Sequence, residues 1–239
     1  MSSQGPAFPV PGPVDAEIMA EVDSRTGKDR KTVTTRDPVR TRRRILQAAT
    51  EEFAAKGLEG ARTDEIARRS GANKRMIYHY FSSKEGLFQA VLEKAYADIR
   101  GSEKRLRLTQ RDPVDAMAQL VGFSFDWFHR HPEFAKLLNE ENLYEGVHVE
   151  SSAKARSLNM PLVDMIQELL ERGEASGQFR SGVDPVQLYI SIAGISYFFF
   201  SNRFTLSAIF SRDLASRPEL EQRRQHVIDV ILGYLRQID

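Results

Sequence analysis

Residues 63–81 read TDEIARRSGANKRMIYHYF, two short helical patterns separated by a glycine. Thr63 is placed to cap the first pattern, and Asp64 and Glu65 sit where a helix dipole favours negative charge. Ile66 and Ala67 point inward. Gly71 permits a sharp turn because a residue without Cβ enters the left-handed region freely. Asn73 then restarts the chain as a second cap. In the pattern that follows, Met76 and Ile77 anchor one side, while Lys74, Arg75, Tyr78 and His79 fall on the other. Two helices joined so tightly form a helix-turn-helix, whose first helix braces the second in the major groove of DNA. Tyr78 and Tyr80 offer hydroxyls to phosphates, and Lys84 adds a cation where the next helix begins.

Outward from this segment the periodicity is helical throughout. Ile45, Ala48, Ala49, Phe53 and Ala54 recur at three and four positions, a first amphipathic helix ending at Gly57. Ser82-Ser83 opens a fourth, with Leu87, Val91 and Leu92 inward. Later helices are expected at about 113–131, 133–143, 152–175, 185–201 and 218–237, with Pro161 kinking or splitting the third of these. No segment alternates with period two, so the chain is expected to be all-α: a three-helix reading domain at residues 36–84 and a helical body at 85–239. Residues 1–35, with four early prolines and few large apolar residues, are expected to be a disordered tail. Arg25, Lys28, Arg30 and Lys31 at its end suit a flexible arm near phosphates.

Charge follows the same division. Residues 36–84 hold twelve Lys and Arg against six Asp and Glu, whereas the remainder is mildly acidic. A basic head on an acidic body points to a polyanionic partner.

Over residues 41–93 the chain resembles the TetR family of repressors, through RRRILQAATEEFAAKG, TDEIARRSG and ANKRMIYHYFSSKEGLF. Gly71, Tyr78, Phe81, Lys84 and Leu87 stand in the family's order and spacing. The resemblance implies that Thr63, Tyr78, His79, Tyr80 and Lys84 contact backbone phosphates, and that Lys74, Arg75 and Met76 lie nearest the bases. Asp64 departs from the family pattern: where a polar or basic residue is common, a carboxylate disfavours close phosphate approach, so it is left out of the contact set.

The resemblance also implies a C-terminal domain that binds a small effector and dimerises. Phe123, Trp127, Phe128, His131 and Phe134 gather aromatic surface at a helix break, near Asn139 and Asn142, as a mostly apolar pocket with a few polar groups would require. An aromatic stripe at this spacing also suits plain core. Ile192, Ile195, Tyr197, Phe198 and Phe199 cover too much of one helix to face a single core. Val227, Ile231, Leu232, Tyr234 and Leu235 form a second stripe, so the last two helices are expected to build a four-helix dimer interface. Twofold symmetry then matches a palindromic double-stranded operator.

Other classes find little support. There is no cysteine, which excludes disulfides and thiol chemistry and suits the cytoplasm. The most apolar run, residues 188–200, is too short to span a membrane. His129 and His131 point to different sides of a helix, Glu140 and Glu141 diverge, and no HExxH or phosphate-binding loop occurs. Neither catalysis, nor a metal, nor a cofactor is therefore expected. A regulator without an effector, an activator, and a non-specific architectural DNA binder stay open.

Overall fold

The computed structural model describes residues 37–236, and among these every regular element is helical. The expected tail and its basic arm lie outside the described residues. Ten α-helices follow in chain order: α1 Pro38–Gly60, α2 Thr63–Ser70, α3 Lys74–Phe81, α4 Lys84–Lys104, α5 Pro113–Arg130, α6 Pro132–Leu143, α7 Val147–Glu150, α8 Ala153–Ala175, α9 Pro185–Phe210 and α10 Arg217–Leu235. A single 3-10 turn, Leu108–Gln110, lies between α4 and α5.

Three of the long helices start in the same way. Asp37-Pro38-Val39, Asp112-Pro113-Val114 and Asp184-Pro185-Val186 each put an aspartate at the N-cap and a proline in the first turn. The aspartate carboxylate accepts from the N–H of the valine, at 3.0, 2.9 and 2.7 Å respectively. Proline needs no partner for the N–H it lacks, and its fixed φ already suits the helix.

Helices α1 to α4, where the reading head is expected, share one core. Ile45, Phe53, Ile66, Ile77, Leu87 and Phe88 form its buried centre, with the Phe53 and Phe88 rings edge to face at 5.1 Å. Leu137, from α6 of the body, is fully buried in this same cluster. The body has its own core, in which Met117, Val121 and Phe125 of α5 meet Ile166 and Leu169 of α8, Ile192 and Phe199 of α9, and Val227, Ile231 and Leu235 of α10.

Several expectations need correction. Thr63 is the first residue of α2 rather than its cap; Arg62 occupies that position and no side chain caps the helix. Thr63 is buried instead. Pro161 does not split α8, which runs continuously from Ala153 to Ala175. The helix expected to end near Ser201 continues nine residues further, to Phe210. The short α7 was not anticipated.

The apolar stripes of the last two helices also divide differently. Ile192 and Phe199, together with Val227, Ile231 and Leu235, are spent on the core of the monomer. The surface that remains exposed is formed by Val186, Ile190, Phe198, Phe204, Ile209 and Phe210 of α9 with Val230 and Tyr234 of α10. The expectation that α9 has too much apolar surface for one core holds, but the outward residues are largely different ones.

Two glycines are required by backbone geometry. Gly71, at φ 63° and ψ 21°, is the left-handed turn between α2 and α3. Gly57, at φ 70° and ψ 179°, breaks α1 in a region essentially reserved for glycine. An added Cβ there would also lie 2.7 Å from a Glu140 carboxylate oxygen. Gly57→Ala is therefore expected to cost about 1–3 kcal/mol, and Gly71→Ala roughly 1 kcal/mol. Urea unfolding of both variants gives the order.

Candidate nucleic-acid interface and effector cavity

Helix α3 is set by its two ends. Asn73 Oδ1 accepts from the Met76 N–H at 2.8 Å, as expected of a cap. Gly71 N–H and Ala72 N–H close the end of α2 onto the Arg68 and Ala67 carbonyls at 3.3 and 3.1 Å. Ile77, fully buried, and Phe81, 6% exposed, then fasten α3 to the core. That leaves Lys74, Arg75, Tyr78 and His79 exposed on its outer face, with Met76 and Tyr80 half-buried.

The remaining proposed contacts are not equivalent to these. Tyr80 packs against the head core beside Phe81. Lys84, half-buried, donates to the Glu59 carbonyl at 3.0 Å and so ties α4 back to the end of α1. Lys74 pairs with the Asp64 carboxylate, at 3.1 Å. Asp64 thus acts on the reading surface through a neighbouring lysine, and phosphate approach to Lys74 must compete with it.

Ion pairs within the head consume part of its positive charge. Arg68 is held by Glu65, Arg69 by Glu51, and Lys56 by Glu52. The Arg68 guanidinium in turn keeps Glu65 below the usual carboxylate range. Arg40, Arg42, Arg43, Arg44, Arg62 and Arg75 are exposed, with no carboxylate partner among the described residues. Arg42 stacks over the Phe81 ring at 5.1 Å, and Arg44 borders Gly71. The first turns of α1 thereby carry free cations to both ends of the recognition segment. The run Arg42-Arg43-Arg44 was the available signal for this, and the expected contact set omitted it.

The residues expected to form one effector pocket are spread over two cavities. Phe128, Phe134 and Asn142 line a cavity of about 290 Å3 together with Tyr96, Ile99, Arg100 and Glu103 of α4, Ser124 of α5, Leu138 of α6, and Tyr189, Ile190, Ala193, Gly194 and Tyr197 of α9. Trp127 and His131, stacked at 4.0 Å, face a second cavity of about 460 Å3 between α1, α4 and α6, which Phe134 shares. Phe123 lines neither but tilts against Trp127 at 5.7 Å, and Asn139 accepts a hydrogen bond from the Tyr197 hydroxyl. The aromatic stripe is thus partly cavity wall and partly packing.

The first cavity has one charged corner. Arg100 and Glu103 are each 5% exposed and bond through Nη1 and Oε2 at 2.7 Å. Arg100 Nη2 donates to the Tyr189 hydroxyl at 3.2 Å, while its Nε has no partner among the described residues. Burial pushes the Glu103 carboxyl from 4.5 up to about 7 against the pull of Arg100, and pushes Tyr96 up to about 12. Neither Arg100 nor Glu103 was singled out from sequence, where a pair three residues apart on a helix reads as surface charge.

Helix α6 joins cavity and head. Phe134, Leu138 and Asn142 line the cavity. A second face, about 120° around at 100° per residue, carries Leu137 into the head core and presents Glu140 and Tyr144 to the end of α1. The Glu140 carboxylate accepts from the Leu58 N–H at the Gly57 break, and Tyr144 donates to Glu59 at 3.3 Å. Beside them, buried Glu141 accepts from the N–H groups of His148 and Val149, both at 2.9 Å, and bonds the His148 ring at 2.7 Å. This fixes α7 against α6.

Comparison with known proteins agrees with this layout. Residues 45–91 match the model of bacterial regulatory proteins of the tetR family, and residues 113–231 match a tetracycline-repressor-like C-terminal domain. The chain is 40% identical over 197 residues to the HTH-type transcriptional repressor NicS of Pseudomonas putida, covering 82% of this chain and 93% of that protein. It is also 40% identical over 111 residues to the repressor SCO4008 of Streptomyces coelicolor, covering 46% and 54%. Among solved structures, the putative transcriptional regulator SCO4942 from Streptomyces coelicolor superposes with a TM-score of 0.61 at 27% identity, over 82% of this chain and 98% of the other.

Two outcomes follow from the geometry. Glu140→Ala leaves the Leu58 N–H without its acceptor and is expected to destabilise the protein by about 1–3 kcal/mol in urea unfolding. Glu103 stays protonated in the folded state at pH values where the unfolded chain has lost that proton. Its contribution to stability is therefore fully present below about 4.5 and is lost as pH rises to about 7. Glu103→Gln is expected to flatten the decline in stability across that window.

Proposed function

The chain belongs to the TetR family, helix-turn-helix DNA-binding transcriptional regulators rather than enzymes, and from that premise we propose that it is a repressor released from a palindromic operator by a small effector. One observation carries the reading: α3 presents Lys74, Arg75, Tyr78 and His79 outward while Ile77 and Phe81 fix its inner face. Residues 36–84 act as the reading head and residues 85–239 as the effector-binding and dimerisation body. Arg75 and Met76, with Lys74 once freed from Asp64, lie nearest the bases. Thr63, Tyr78, His79, Tyr80 and Lys84 lie toward the phosphates, although buried Thr63 and core-packed Tyr80 reach them only if the head adjusts. The free arginines of α1 extend the phosphate contacts. The protein works in the cytoplasm, where the operator is.

Dimerisation through the outward faces of α9 and α10 is supported by the exposed Phe198, Phe204, Ile209 and Phe210. A twofold pair of heads about 34–36 Å apart, or a multiple of this, would fit successive major grooves. Release follows if the effector binds better to a conformation in which that spacing is lost. Helix α4, which carries Leu87 and Phe88 in the head core and Arg100 and Glu103 at the cavity, is one route between cavity and head. Helix α6, whose Leu137 and Glu140 engage the head, is a second.

Selection of bound duplexes from a random pool tests the reading. A palindromic consensus is expected, whereas equal recovery of unrelated sequences would indicate a non-specific binder. Arg75→Ala is expected to weaken consensus binding by about 1–3 kcal/mol and relax one position. Arg42→Ala is expected to weaken all duplexes alike and lower the salt slope by roughly 0.9. Titrations at several salt concentrations separate the two.

A further inference from the structure

The charged corner of the smaller cavity sits among aromatic rings, an unusual place for a guanidinium. Arg100 is nearly sealed from solvent, yet its Nε has no partner among the described residues. Glu103 holds Nη1. Among the described residues, the opposite edge, formed by Nε and Nη2, is met only by the Tyr189 hydroxyl at Nη2. Two parallel N–H groups on one guanidinium edge match the two oxygens of a carboxylate. Burying a donor without an acceptor is costly, so a ligand that supplies one gains more than surface contact would give.

We propose that this cavity binds a small planar aromatic acid, its carboxylate on the Nε/Nη2 edge of Arg100 and its ring between the aromatic walls. The inference rests on the reading of this cavity as the effector site. Tyr96, Phe128, Phe134 and Tyr197 supply flat apolar surface. A volume of about 290 Å3 stands at the small end of the range for ligand sites, suiting one or two rings better than a long acyl chain. Tyr189 turns its hydroxyl from accepting the Nη2 bond to donating to the ligand.

Charge balance supports the choice. A second carboxylate beside Arg100 would leave an excess negative charge if Glu103 stayed ionised. Burial already pushes Glu103 up to about 7, so it takes up a proton readily as the anion arrives. The other groups around it are Arg100, Lys104 and Tyr96 of α4, Tyr189 and Tyr197 of α9 and, further off, Glu141 of α6. The facing residues of α5 and α8 are Ser124, Leu158, Pro161, Leu162 and Met165, none of which titrates. Acid binding should therefore weaken as pH rises above about 7.

The single tryptophan, Trp127, packs beside Phe128 and Phe134 and reports occupancy by fluorescence independently of DNA. The full-length protein is titrated with 2-naphthoate, 2-naphthamide, 2-naphthylmethylamine and decanoate, and operator binding is followed in parallel. The acid is expected to bind roughly tenfold or more tightly than the amide, more tightly than decanoate, and to release the operator. Arg100→Lys, which keeps the charge but loses the edge, is expected to remove the preference for acid over amide. Should that variant not fold, the ranking of ligands on the unaltered protein decides by itself. Equal affinity for acid and amide, preference for the amine or decanoate, an unchanged preference in Arg100→Lys, or no binding by any probe would overturn the ligand assignment. Selective operator binding with any of those results leaves the regulator reading standing. If no sequence-selective DNA binding is found, the regulator reading fails while the ligand ranking is still measured.

Discussion

Leu137 sets the mechanical problem of this protein. It belongs by chain position to the body, yet it is fully buried in the core of the reading head. Because protein interiors pack densely, α6 cannot shift far without disturbing the residues that support α3. Glu140 adds a polar tie, accepting the Leu58 N–H at the Gly57 break. A helix that forms part of the cavity wall is therefore also part of the head. Under the proposed mechanism, physical continuity of this kind is the route by which occupancy of the cavity would alter the angle at which α3 meets DNA.

The electrostatics of the head are more selective than its net charge suggests. Lys56, Arg68, Arg69 and Lys74 are neutralised by carboxylates of the head itself. Among the described residues, the exposed arginines left without a carboxylate partner are Arg62, Arg75 and those that open α1. Arg42 and Arg44 reach opposite ends of the recognition segment through Phe81 and Gly71. Ion pairs thus dispose the free charge around the segment that reads.

Local features were legible in the sequence. Gly71, Asn73 and Ser83 do what their chemistry implies, since turns and caps are decided within a few residues. Family membership was legible for the same reason, the motif being contiguous. Long-range packing was not. Thr63 reads as a cap and is instead buried in the first turn of α2. Arg100 and Glu103 read as an exposed pair, and only the packing of α8 and α9 beside α4 buries them. The helix expected to end near residue 201 meets nothing local that breaks it and reaches Phe210. The apolar stripe of α10 names residues that pack somewhere without saying whether that is the core or a second subunit.

Reciprocity gives the most direct test of the linkage through α6. If cavity and head share one packed unit, operator binding must be felt at the cavity as surely as an effector is felt at the head. Amide hydrogen exchange across the full chain, with and without a specific duplex, measures this. Slower exchange is expected in residues 132–143 and in the cavity-facing half of α4 as well as in the head. Protection confined to residues 38–84 would contradict the coupling and leave the head and the cavity as independent parts.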